Sequence, residues 1–241
     1  MDQQAFTEAL IRIRDARHAQ NHPYIEDWTQ GKLTRLQMAH YVLQHSRWSR
    51  EVVNAFGVIE AMALDVKVQD DFIANLAQEH GLLGIEHGQS PMPHVEMQMR
   101  FIESCGISRE EANRIPTTAG ARAQADFHWS LVFRRPWQVA ATAVWANESQ
   151  EVGIMQRLVP ALINHYGYQS GSDAIRFFEE HYMADQEHGG RELEALVRHV
   201  TDPALQQECL EVAEMATRVR WLFLNELYEL VHEPAALGRA S

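Results

Sequence analysis

Along most of the chain apolar residues return every three to four positions, and strict alternation of apolar and polar residues is nearly absent. That pattern predicts helices and no sheet. The first helix is expected from about Gln4 to Gln20, ending at Asn21-His22-Pro23, because a residue before proline is pushed out of the helical region. A short turn is expected through Trp28 and Gly31. Thr34-Arg35-Leu36-Gln37 has the form of a capping box, in which the first and fourth side chains each satisfy the other's backbone N–H. It opens a long helical stretch to about Leu64, kinked or split near His45–Arg50. Further helices are expected at about Val68–His80, His94–Gly106, Ala119–Phe133, Trp137–Tyr166, Ser172–Val200 and Pro203–His232. Ser108-Arg109-Glu110-Glu111 is a second capping box, and Asp202 is the expected N-cap of the last helix, with Pro203 at its first position. Gly81–Pro93 is rich in glycine and proline and reads as a loop. Seven or more helices with short joins describe an all-α bundle. The 241 residues suit one helical domain spanning residues 1–241, with a frayed tail from about 233.

Composition narrows the functional classes. A formal net charge of −12 argues against nucleic acid as a partner, since phosphate binding needs clustered Lys and Arg. No run of about 18 apolar residues occurs, so no membrane span is expected. The polar, amphipathic start does not read as a secretion signal. Cys105 and Cys209 are too few for a disulfide framework and are expected to be buried, reduced thiols of a cytoplasmic protein.

The strongest local chemistry is His181-Tyr-Met-Ala-Asp185-Gln-Glu-His188. A helix turns about 100° per residue, so i, i+4 and i+7 fall on one line and the three side chains share a face. Two imidazoles and a carboxylate there can make half of a site for iron or manganese. Glu148 stands in an otherwise apolar stretch, Ala-Val-Trp-Ala-Asn-Glu-Ser, where a carboxylate is rarely buried without a partner. Glu151, one turn on, is expected to be the exposed one of the two. Glu79 ends one helix and His94 opens the next, so the two can meet across the glycine-rich loop, with His87 and Glu86 inside that loop as rivals or extra ligands. Glu79, His94, Glu148, His181, Asp185 and His188 together supply three carboxylates and three histidines, a set suited to two iron ions bridged by carboxylates, with manganese as the alternative. Tyr41 and His45 fall on successive turns with Trp48 and can line a substrate pocket or simply pack the core. Arg157, Tyr166 and Tyr182 are further candidates for substrate contact. The apolar stripe of the last helix, with Trp221, Phe223, Leu224, Leu227 and Leu230, is expected to be core or a homodimer face.

These motifs resemble the haem-oxygenase-like di-iron oxidases and oxygenases, which share a scaffold with pyrroloquinoline quinone biosynthesis protein C and with TenA-type thiaminases. His22-Pro23-Tyr24, Trp28, Gly31-Lys32-Leu33 and Gln37 are similar to the scaffold's opening signature, which metal-free relatives also carry. Asn75-Leu76, Glu79, His94-Val-Glu-Met and Phe101-Ile-Glu-Ser-Cys-Gly106 resemble the pattern of the di-iron members. Glu148 resembles their carboxylate on the long helix, and His181, Asp185 and His188 resemble their His-x3-Asp-x2-His. The resemblance implies two Fe(II) ions, dioxygen and a small organic substrate, here expected to be amino-acid-like and part of a biosynthetic pathway. The subfamily that makes para-aminobenzoate has a tyrosine directly before the long-helix glutamate and a lysine about three turns on. Here those places hold Asn147 and the Arg157–Leu158 region, a departure from that subfamily. The other readings are a metal-independent enzyme on the same scaffold, either a cofactorless oxidase or a thiaminase-like hydrolase, and a non-catalytic binder.

Overall fold

The computed structural model describes residues 1–82 and 91–232, and the side chains within them except those of 183–192. Eleven α-helices and no strand occur among the described residues. In chain order they are α1 (Gln3–Ala16), α2 (Pro23–Thr29), α3 (Arg35–Met62), α4 (Val66–Glu79), α5 (His94–Ser104), α6 (Arg109–Arg114), α7 (Ala119–Arg134), α8 (Trp137–Glu148), α9 (Glu151–Tyr166), α10 (Arg176–His199) and α11 (Pro203–His232). The starts follow local chemistry. Both expected capping boxes form, at Thr34 with Gln37 and at Ser108 with Glu111. Asp202 accepts from the Leu205 N–H at 2.9 Å.

Three expectations are corrected. The turn through Trp28 is instead the helix α2, because Pro23 stands in its first turn, where its missing N–H costs nothing, and the His22 ring caps the Tyr24 N–H at 3.1 Å. The stretch around His45–Arg50 is not split: α3 runs from Arg35 to Met62 as one helix, with His45 and Trp48 packed edge to face at 5.1 Å. The single helix expected over Trp137–Tyr166 is divided between α8 and α9, at a place with neither proline nor glycine. Residues 83–90 of the expected loop and the expected tail from 233 lie outside the described residues.

The helices bury two apolar clusters. One gathers Trp48, Val52, Phe56, Val144, Trp145, Leu196 and Ala213. The other gathers Trp28, Tyr41, Phe101, Ile154, Phe178, Phe223 and Leu227. Helices α3 and α11 run through both, as do α10 and the α8–α9 pair. Where they pass from one cluster to the other, they carry polar residues: His45 on α3, Arg220 on α11, Asn147 and Glu151 beside the α8–α9 joint, and His181 on α10. All five are buried. The core is therefore two apolar blocks separated by a polar layer.

The layer is anchored by an ion pair between Arg220 and Glu151, whose side chains are 3% and 2% exposed. Burial alone would raise the Glu151 carboxyl, but the Arg220 charge and the facing His45 hold it well below the usual carboxylate range. Arg220 is in turn held charged against its own burial by Glu151, Tyr41 and Glu148. Since the folded-state pKa of Glu151 is depressed, the stability it contributes is complete above the ordinary value of 4.5 and is lost as pH falls below it. Glu151→Leu would leave a guanidinium buried without its partner. It is expected to destabilise the fold by about 3–5 kcal/mol in urea unfolding at pH 7, with the gap to wild type closing below pH 4.5.

Close approach of α7 to α11 allows a second test. Glu226 of α11 accepts from the Ala119 and Gly120 N–H groups at the start of α7, and a Cβ on Gly120 would lie 2.7 Å from Phe223 Cα. Alanine at this site gains at most about 1 kcal/mol of helix propensity. Forcing two backbones apart costs about 1–3 kcal/mol. Gly120→Ala is therefore expected to lower the melting temperature, although the same change in an exposed helix would raise it.

Candidate metal centre

The end of α4, the start of α5 and the second turn of α10 converge at one edge of the polar layer. Glu79 Oε1 lies 2.8 Å from His94 Nδ1, and the His94 and His181 rings are 4.5 Å apart between centroids. One donor atom from each of Glu79, His94 and His181 lies within 4.8 Å of the other two. Among the described residues this is the one cluster of three or more His, Cys, Asp or Glu side chains able to hold an ion. Phe177 walls it, with its ring centroid 4.3 Å from His181 and 6.3 Å from His94.

The protonation states suit a cation. Burial pushes the His181 imidazole down to about 4, helped by the charge of His94 and opposed by Glu79 and Glu151, so the ring is neutral at ordinary pH. His181 Nδ1 lies 2.8 Å from the Phe177 carbonyl. A neutral ring donates from that nitrogen, which leaves the Nε2 lone pair free. For His94, burial lowers the pKa, but the adjacent Glu79 carboxylate outweighs it and the net shift is upward. Glu79 is shifted down: burial raises it, and His94, His181 and His45 together more than offset that. The cluster thus holds a carboxylate, a neutral imidazole and an imidazole whose charge depends on the carboxylate beside it. This donor set fits a divalent N/O-ligated metal such as iron or manganese.

Of the other candidate residues, Glu148 is the last residue of α8, half-buried and within the field of Arg220. The described cluster of three does not include it. Asp185 and His188 lie on α10, but their side chains are outside the described residues, and so are His87 and Glu86. His94 is therefore brought to Glu79 and His181, and no comparison with His87 follows. Tyr41 and His45 are buried in the layer, their rings stacked at 5.8 Å. The other three candidates for substrate contact are not part of the cluster. Tyr182 is 37% exposed, and Arg157 ties α9 to the Gln20 carbonyl and to Glu26. Tyr166 bridges the Leu33 N–H and the Trp28 carbonyl.

The expectation that Glu151 is exposed is corrected: it is 1% exposed, because α9 starts afresh at this residue and turns it toward Arg220. Sequence reasoning also passed over Arg220 and Gln98. Gln98 hydrogen-bonds His45 Nδ1 at 3.2 Å, while His45 Nε2 faces Glu151 at 3.7 Å. A signal for Arg220 existed. It falls on the stripe of Ala213, Ala216, Phe223, Leu224 and Leu227, where a charge needs a buried partner.

Comparison with known proteins places this architecture. The chain is 27% identical to a 4-aminobenzoate synthase of Nitrosomonas europaea, over 93% of this chain and 91% of that one. It is 25% identical to a pyrroloquinoline-quinone synthase of Pseudomonas putida, over 94% and 89%. A domain of unknown function with a haem-oxygenase-like fold from Shewanella denitrificans superposes with a TM-score of 0.74 at 16% identity, covering 97% of this chain and 96% of that one. Sequence motifs, helical architecture and these likenesses agree on the haem-oxygenase-like fold. The family model for iron-containing redox enzymes matches residues 35–221, and the chain belongs to that family.

Proposed function

We propose that the protein is a non-haem di-iron oxidase or oxygenase that uses dioxygen to oxidise a small, amino-acid-like substrate in a biosynthetic pathway. The observation that carries this reading is the buried meeting of Glu79, His94 and His181. In the proposed centre, Glu79, His94 and Glu148 would hold one metal side, and His181, Asp185 and His188 would hold the other. Bound iron(II) supplies the activation of dioxygen beside the substrate. The chain's own residues prepare the site. The Phe177 carbonyl fixes the His181 ring so that Nε2 is presented without a proton to lose. Glu79 keeps His94 in place until a cation replaces the proton they share. The Phe177 ring packs against both His94 and His181 and belongs to the second apolar cluster, so it gives the site an apolar wall on that side.

A biosynthetic role is supported by the likeness to the 4-aminobenzoate synthase and the pyrroloquinoline-quinone synthase. Making para-aminobenzoate from the enzyme's own side chains is not favoured. The position before Glu148 holds Asn147, whose side-chain amide is engaged with His128 at 3.0 Å. A metal-independent enzyme is the second reading, favoured by the Glu79–His94 pair itself, which at 2.8 Å also forms a carboxylate–imidazole couple without a metal.

Anaerobic titration with Fe(II), with iron counted per chain and oxygen uptake followed on admission of air, separates the two. Two irons per chain are expected, and His181→Ala and Glu79→Ala should each bind less iron while staying folded by circular dichroism. A wild-type chain that binds no iron would overturn the di-iron reading in favour of the metal-free couple. The pH profile is a second test. Metal must displace the proton of His94, whose pKa lies above 6.5, so Fe(II) affinity should fall about tenfold per pH unit below that pKa. His94→Gln should bind iron more weakly and lose that slope.

A further inference from the structure

The joint between α8 and α9 is not made by a helix-breaking residue. Its residues, Asn147-Glu148-Ser149-Gln150-Glu151, include neither proline nor glycine, and Ser149 and Gln150 keep right-handed backbone angles. In a continuous helix the Asn147 carbonyl would accept from the Glu151 N–H. Here it accepts from Gln150 N at 3.1 Å, and from Arg220 Nη1, also at 3.1 Å. The other arm of the same guanidinium, Nη2, pairs with the Glu151 carboxylate. One arginine thus grips both sides of the joint, the last turn of α8 by its carbonyl and the first residue of α9 by its side chain. The Gln150 side chain secures the same place, donating to the Ala146 carbonyl and accepting from the Ala19 N–H at 2.7 Å.

We propose that Arg220 is a positioning residue for the metal centre: its fork holds the α8–α9 joint open and thereby sets where Glu148 and Glu151 carry their carboxylates relative to Glu79, His94 and His181. The proposal rests on the di-iron reading above. Its physical basis is that Arg220 cannot relax elsewhere. It is 2% exposed, walled by Trp48 with its guanidinium carbon 5.9 Å from the ring centroid, and a guanidinium so buried stays only where a carboxylate compensates it. Glu148, the last residue of α8, also lies within the field of Arg220. Metal ligands must be held to within about 0.5 Å to bind well, and a joint free to close into continuous helix would shift α9 against α8 by far more.

The test uses the full chain and Fe(II) alone. Arg220→Met combined with Glu151→Leu removes both members of the pair, leaves no buried charge uncompensated, and is expected to melt near the wild-type temperature. It should nevertheless bind iron at least tenfold more weakly, or lose one of the two ions, because the joint has lost its holder. Arg220→Lys keeps a charge for Glu151 but lacks the second arm for the Asn147 carbonyl, and should weaken iron binding in the same direction. This second variant keeps the proposal testable if the double variant does not fold. A purely structural role predicts that iron binding follows melting temperature across the variants. Wild-type iron affinity and stoichiometry in the variants that fold would overturn the positioning role alone. A wild-type chain that takes up no iron would overturn the di-iron reading and this role with it.

Discussion

The fold depends on a buried guanidinium that has few places to go. Arg220 lies where α11 passes between the two apolar clusters, and the free energy of an isolated charge there would be prohibitive. Its compensation by Glu151 determines more than one ion pair. It interrupts a helix that its own sequence would continue, brings a second carboxylate into the interior and lines up His45, Tyr41 and Asn147 as a polar layer. A buried pair of this kind adds little net stability over an apolar replacement of the same shape, and its contribution is specificity of arrangement.

The candidate metal centre sits at one edge of that layer and is assembled largely from helix ends. Glu79 is the last residue of α4 and His94 the first of α5. Each occupies a position opposed by its helix dipole: a carboxylate at the negative C-terminal end, and an imidazole that tends to charge at the positive N-terminal end. The two offset this by pairing with each other, and a divalent cation would do so better, since it is stabilised by the C-terminus of α4 as well as by the carboxylate. His181 differs. It comes from within a long helix, is neutral, and has its ring orientation set by the carbonyl one turn earlier. A neutral imidazole thus stands beside a carboxylate–imidazole pair, and both could donate to a divalent cation.

Much of this was legible in the sequence where the physics is local. The capping boxes at Thr34 and Ser108 and the N-cap at Asp202 are set by side chains reaching backbone within the same turn, and all three form. The face expected to be shared by His181, Asp185 and His188 rests on helical repeat alone, and of the three only the His181 side chain lies among the described residues. The ends of the helices at Glu79 and His94 were expected from the glycines and prolines between them, and the likeness of the flanking motifs to the di-iron enzymes suggested that those two residues belong together.

What the tertiary structure decided are the features whose cause lies far along the chain. No proline or glycine in Asn147–Glu151 announces a joint, and the arginine that grips both of its sides is 69 residues from Glu151. Glu148 and Glu151 lie three residues apart, and exposure was expected of Glu151, which is buried because a distant arginine draws it inward. The meeting of Glu79 and His94 with His181 likewise requires α4, α5 and α10 to pack side by side. Hydrogen bonds and periodicity act within a turn or two of helix, so the sequence by itself determined the helices, their caps and the faces they present. Electrostatic compensation of a buried charge acts through space, so the division of the core and the convergence of the candidate ligands were settled only when distant helices came together.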